Sequence, residues 1–261
     1  MSKRWKADLL ITKRSQNTDR YKRNFLQQAV CEFRFPTLME LGEQRPPAAF
    51  VRALRKDYPH LELTNELTLG PGSGNAGSSN VHIFRSTKLN WNVSLKESAI
   101  TIETTSYTGF DTLRERITKV VKAAEEIIDS DFFTRIGLRY INVIDSGDDP
   151  ITDWINPALT GAVTSNAFTG ISDFAGRMQL KADDGGCTFQ HGIRLAQIKE
   201  GDQPKPEYLI DIDIFRTEIS TQDVADAIEV MHQQAFDLFD WSLTDTSRDY
   251  LSKDAKVKKG L

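Results

Sequence analysis

Cysteine, histidine and long apolar runs are all scarce in this chain of 261 residues. The cysteines are Cys31 and Cys187, and the histidines are His60, His82, His191 and His232. No two histidines have metal-ligand spacing, and neither C-x-x-C nor H-E-x-x-H occurs. No metal or other cofactor is therefore expected. Each cysteine lies inside a strand-like run and reads as a small buried hydrophobe in a reduced compartment. No stretch approaches the length of a membrane span. The N-terminus has charges but no apolar core, so no signal peptide and a cytoplasmic location are expected. Neither sign of charge dominates: 33 Lys and Arg stand against 37 Asp and Glu, for a net charge of −4. That balance supplies no global field for nucleic acid.

Arg135-Ile-Gly-Leu-Arg-Tyr-Ile-Asn142, running on to Val143-Ile144, is the longest strand-like run near the midpoint. At period two, Ile136, Leu138 and Tyr140 share one face. Arg135, Gly137 and Arg139 share the other. The glycine between two cations suits close approach by a second chain or ligand.

This run resembles the centre of a sporadically distributed family of uncharacterised prokaryotic proteins. Ala29 to Phe35 is similar to that family's opening strand. Trp91 to Leu95, with Ile100 to Tyr107, resembles its middle hairpin. The segment around His232 and Phe236 to Phe239, ending in Trp241-Ser-Leu-Thr244, resembles its C-terminus. The family's patchy distribution implies mobile or defence-linked genes, and no biochemical activity comes with it.

Residues 1 to 24 hold eight cations: Lys3, Arg4, Lys6, Lys13, Arg14, Arg20, Lys22 and Arg23. Residues 1–28 read as a basic arm, either a solvated, partly ordered tail or one that touches a nucleic-acid backbone or an acidic partner. Val30 to Phe35 alternates as a strand, with Cys31, Phe33 and Phe35 inward and Glu32 and Arg34 outward. Pro46-Pro47 opens a helix that Tyr58-Pro59 stops. Gly72, Gly74 and Gly77 match G-x-G-x-x-G, but Val81 to Arg85 follows as a strand. A dinucleotide site needs a helix there, so a flexible hairpin loop is expected.

Trp91 to Leu95 and Ile100 to Glu103 form a hairpin about Lys96-Glu97-Ser98. Thr108 to Asp111 resembles a capping box that opens a helix over about 111 to 129, striped by Leu113, Ile117, Val120, Val121, Ala124, Ile127 and Ile128. Ile151 to Leu159 reads as a short helix. A second antiparallel set follows at 177–182, 187–197 and 208–216, with a hairpin turn at Asp183-Asp-Gly-Gly186. Ser220 to Asp223 then caps a last helix striped by Val224, Ile228, Met231, Ala235 and Leu238.

Strands punctuated by helices argue α+β with an antiparallel sheet. The expected architecture is two similar halves, 29–145 and 146–261, each an antiparallel sheet covered on one face by its long helix. TATA-binding-protein-like and helix-grip folds are the analogues.

Asp211 and Asp213 are the best acid pair, projecting together opposite Ile210, Ile212 and Ile214. They suit Mg²⁺-dependent phosphoryl chemistry or ion pairs with Arg135, Arg139 or Arg194; the arginine supply favours ion pairs. His191 reads as a packed, hydrogen-bonded core histidine, and His232 as holding a strand carbonyl. A Cys31–His191 nucleophile pair needs the fold to join them.

The sequence thus favours a non-enzymatic protein that binds a macromolecule, with a protein the expected partner. The polar sheet face of Glu32, Arg34, Arg135, Arg139, Arg194, Asp211 and Asp213 would carry the contact. An accessory or immunity-type role in a prokaryotic defence or conflict system is the context implied by resemblance. The alternatives are a metal-dependent nuclease or phosphotransferase centred on Asp211 and Asp213, and weak nucleic-acid binding through the arm.

Overall fold

The computed structural model describes residues 5–18, 20–69, 76–196 and 205–254, with main chain alone at 67–69 and 76–78. Nine strands form a sheet: β1 (Leu26–Arg34), β2 (His60–Leu69), β3 (Ala76–Arg85), β4 (Trp91–Lys96), β5 (Ala99–Thr104), β6 (Phe132–Ile144), β7 (Phe174–Ala182), β8 (Gly185–Leu195) and β9 (Pro206–Ser220). Their order is β2-β3-β4-β5-β1-β6-β9-β8-β7. Five α-helices accompany them: α1 (Ala48–Leu54), α2 (Phe110–Glu125), α3 (Pro157–Thr164), α4 (Val224–Trp241) and α5 (Asp245–Ser252). The fold is α+β with a large antiparallel sheet. No helix among the described residues is long and apolar enough to cross a membrane.

The chain divides into two compact units, and neither is a continuous stretch. The first comprises residues 1–5, 28–139 and 215–231; the second comprises 6–27, 140–214 and 232–261. Strands β6 and β9 and helix α4 each contribute residues to both.

In the first unit, register separates a core face from a polar face. Leu95 opposes Ile100, which opposes Phe33; Val93 opposes Ile102, which opposes Cys31. All six side chains are buried. Residues one position along fall on the other face. Ser94 opposes Thr101, which opposes Glu32, and Lys96 opposes Ala99, which opposes Arg34. This is the period-two division that the alternating sequence demands. Helix α2 brings Leu113, Ile117, Val120, Val121 and Ala124 into the core as its stripe predicts. Helix α1 adds Phe50, set edge-on to Phe84 at 5.4 Å.

One sequence signal fails locally. The start of α2 is Gly109, at φ 143°, and no side chain caps it. Glycine supplies a backbone conformation there that Thr108 would strain to adopt. The Ser220 signal does act, accepting from the Gln222 amide at 3.3 Å, but it opens a 3-10 turn ahead of α4. The expected helix at 151–159 is a 3-10 turn at Ile151–Asp153 followed by α3, whose cap is Asn156. The glycine-rich segment at 70–75 lies outside the described residues.

In the second unit, β7 and β8 pair as the expected hairpin. A 3-10 turn at Lys6–Leu9 packs against both strands. Gln234 of α4 donates to the Ala7 carbonyl at 3.0 Å. Phe25 stacks on Tyr250 of α5 at 5.6 Å and tilts against Trp154 at 6.1 Å.

Candidate binding face

The polar face of the first unit brings Glu32, Arg34 and Arg135 together. Strand alternation sends Glu32 and Arg34 outward from β1, while Cys31 and Phe33 anchor the strand in the core. Glu32 Oε1 accepts from Arg34 Nε at 2.7 Å and from Arg135 Nη1 at 3.1 Å. Arg135 is fixed from two further sides. Its guanidinium stands 4.9 Å from the centre of the Phe215 ring. It also lies over Gly137, where an added Cβ would come within 2.5 Å of Nη1. The close approach that the glycine allows is therefore that of a neighbouring side chain.

Two more pairs extend the face toward the outermost strand. Arg85 Nε donates to Glu62 at 3.0 Å, and Lys96 Nζ donates to Glu66 at 2.6 Å. An open recess of about 300 Å³ lies here, lined by Glu32, Arg34, Glu66, Lys96, Glu97 and Ser98 among others. Backbone bonds hold two of its lining residues. Phe35 and Leu38 donate to the carbonyls of Ser98 and Glu97, at 3.1 and 2.8 Å. Gly42 packs so closely on Glu97 that an added Cβ would lie 2.1 Å from its carboxylate. Sequence reading found Glu32, Arg34 and Arg135 but not Glu66, Lys96 or Glu97. The signal was the Lys96-Glu97-Ser98 turn, read only for its geometry.

The other expected members of the face divide between the two units. Arg139 is exposed on β6 in the first unit. In the second unit, Arg194 pairs with Glu207 at 3.3 Å. Asp211 is buried and Asp213 half-buried on β9, while Ile210, Ile212 and Ile214 are buried as expected. Asp211 is thus less accessible than an open acid pair on a solvated face would be. No group of three or more His, Cys, Asp or Glu among the described residues is arranged to hold a metal ion.

His191 is a buried histidine. Its Nδ1 lies 2.7 Å from the Tyr208 hydroxyl, and its ring stacks with those of Tyr208 and Phe189. Burial lowers its pKa and raises that of Tyr208. Cys31 lies on β1 of the first unit and His191 on β8 of the second. His232 Nδ1 lies 2.9 Å from the Tyr140 hydroxyl, a side-chain contact that sequence reading did not foresee.

The described cations of the arm belong to the second unit. Lys6 Nζ bonds Asp183 at 2.5 Å, and Arg14 Nη1 bonds Asp237 at 2.7 Å. Lys22 Nζ bonds Asp254 at 2.7 Å, and Arg23 lies over the Tyr250 ring at 4.8 Å. Arg20 Nη1 donates to Asn17 at 3.2 Å, and Lys13 is exposed. Lys3 and Arg4 lie outside the described residues. Two acids on α4, unremarked in the sequence, organise these contacts. Asp237 accepts the Ser15 amide at 2.9 Å; Asp240 accepts Ser15 Oγ at 2.9 Å, Asn17 Nδ2 at 3.0 Å and the Tyr21 hydroxyl.

No protein-family model, curated protein or solved structure matches the chain.

Proposed function

We propose that this protein is a non-enzymatic binding protein whose partner is another protein, engaged through the polar face of the first unit. One observation carries the reading. Each of four cations on that face, Arg34, Arg85, Lys96 and Arg135, is bonded to a glutamate within 4 Å. A polyanion draws its affinity from uncompensated Lys and Arg. A mosaic of paired charges presents no such field. It suits a partner whose own charges alternate, where complementarity sets specificity and register. Exposure supports the same choice: the Arg34 side chain is 56% exposed and can gain a second acid without leaving Glu32.

Two similar halves, in the manner of TATA-binding-protein-like or helix-grip folds, would present such a face on a covered sheet. The family resemblance adds context: an accessory or immunity-type component of a prokaryotic defence or conflict locus.

The test is affinity capture from an extract of the source organism, with and without nuclease. The proposal expects a discrete protein that is retained in both. Capture abolished by nuclease would replace it with a nucleic-acid reading.

A further inference from the structure

Strands β2 and β7 are the outermost strands of the sheet. Each pairs on one side, β2 with β3 from His60 to Leu69 and β7 with β8 from Phe174 to Ala182, both in unbroken register. Neither contains proline or a break in register. The free side of such a strand is a row of backbone donors and acceptors that another strand can take up.

The two edges carry opposite charge at the same spacing. On β2, Glu62 and Glu66 stand four residues apart with no Lys or Arg in the strand. On β7, Arg177 and Lys181 stand four residues apart with no Asp or Glu. All four are exposed. Arg177 and Lys181 make no salt bridge among the described residues. Glu62 and Glu66 are bonded to Arg85 and Lys96, yet keep 53% and 50% of their side-chain surface open.

The apolar rows match as well. Leu61 and Leu63 oppose the buried Phe84 and His82, yet remain 47% and 46% exposed. Met178 opposes the buried Phe189 and remains 41% exposed. In both strands the charges lie on one face and these apolar side chains on the other. The core face is therefore under-covered at each edge.

We propose that β2 of one copy of this chain adds to β7 of a second copy, with Glu62 and Glu66 opposite Arg177 and Lys181. Equal spacing forms both ion pairs whether the strands run the same way or oppositely. In the first case Leu63 falls beside Met178, and in the second beside Leu180. Contacts of β2 with β2, or of β7 with β7, gather like charges, so the pattern selects unlike edges. A contact between unlike edges is head-to-tail, and it closes as a ring or continues as a filament.

The test is sedimentation velocity of the full chain over a wide concentration range at low salt. Wild type is expected to form species larger than the monomer as concentration rises, and added salt to diminish them. Two double variants, Arg177→Glu with Lys181→Glu, and Glu62→Lys with Glu66→Lys, should each lose those species. Mixing the two variants should restore them, because each then offers the edge that the other lacks. Unchanged circular dichroism shows that the variants fold. A wild type that stays monomeric throughout overturns the proposal, as do oligomers that survive both double variants or that mixing fails to restore.

Discussion

At the scale of single residues, the account turns on a few tightly placed groups. Glu32 holds two arginines and its side chain is 28% exposed, so its loss lies between the exposed and buried limits for ion pairs. Glu32→Gln should cost about 1–2 kcal/mol in a urea titration. An unchanged midpoint would mean that the pairing contributes nothing. Two glycines make opposite predictions. A Cβ on Gly192 would lie 1.8 Å from the Phe174 carbonyl oxygen, while one on Gly161, inside α3, meets nothing within 4 Å. Gly192→Ala should therefore destabilise by about 1–3 kcal/mol or more through overpacking. Gly161→Ala should stabilise by about 0.5–1 kcal/mol. Paired melts that failed to separate the two would contradict the packing described for β7 and β8.

Asp240 gives the pH dependence. Burial pushes its carboxyl up, but hydrogen bonds from Tyr21, Asn17 and Ser15 and the charge of Arg248 together hold it below the ordinary value. A lowered folded pKa means that the unfolded chain binds the extra proton. The contribution is complete above about pH 3.8 and falls away as pH drops through the lower folded value. The stability gap between wild type and Asp240→Asn should thus be present at neutral pH and close in acid. A gap that widened in acid would reverse the assignment.

At the scale of elements, most of the strands and both long helices were legible, because each has one face in the core. The α2 stripe follows a 3.6-residue period, β4 alternates strictly, and β1 and β5 alternate from Ala29 and from Ile100 onward. Ile117 is 1% exposed in that stripe, so Ile117→Ala should cost about 2–5 kcal/mol. A melt unchanged by the substitution would turn the helix face outward. Caps were less legible. Thr108 to Asp111 carries the letters of a capping box, yet the turn requires the φ that Gly109 supplies. The arm's charges leave its order open; Ser15, Asn17 and Tyr21 are tied down by Asp237 and Asp240, more than two hundred residues away. Deleting residues 1–24 leaves those buried carboxylates without several donors and should lower the melting temperature. An identical melt would make the arm a passive tail.

At the scale of the whole molecule, the compact units cut across the order of the chain. The sequence suggested segments at 1–28, 29–145 and 146–261, whereas β6, β9 and α4 each supply residues to both units. Local composition marks turns well, but it carries little about which distant segments pack together. The candidate face shows the same limit. Glu32 and Arg34 were visible from alternation, and Arg135 from its strand. Their union on Glu32 Oε1, and the nearness of Glu66 and Lys96, depend on strand order.

Repeating the affinity capture with Arg34→Glu and Lys96→Glu in one chain asks whether this face binds a protein. Both side chains are at least 38% exposed, so the fold should survive the change. The protein retained by wild type should be lost from the variant, with nuclease present throughout. Retention of the same protein by the charge-reversed chain would contradict binding through this face.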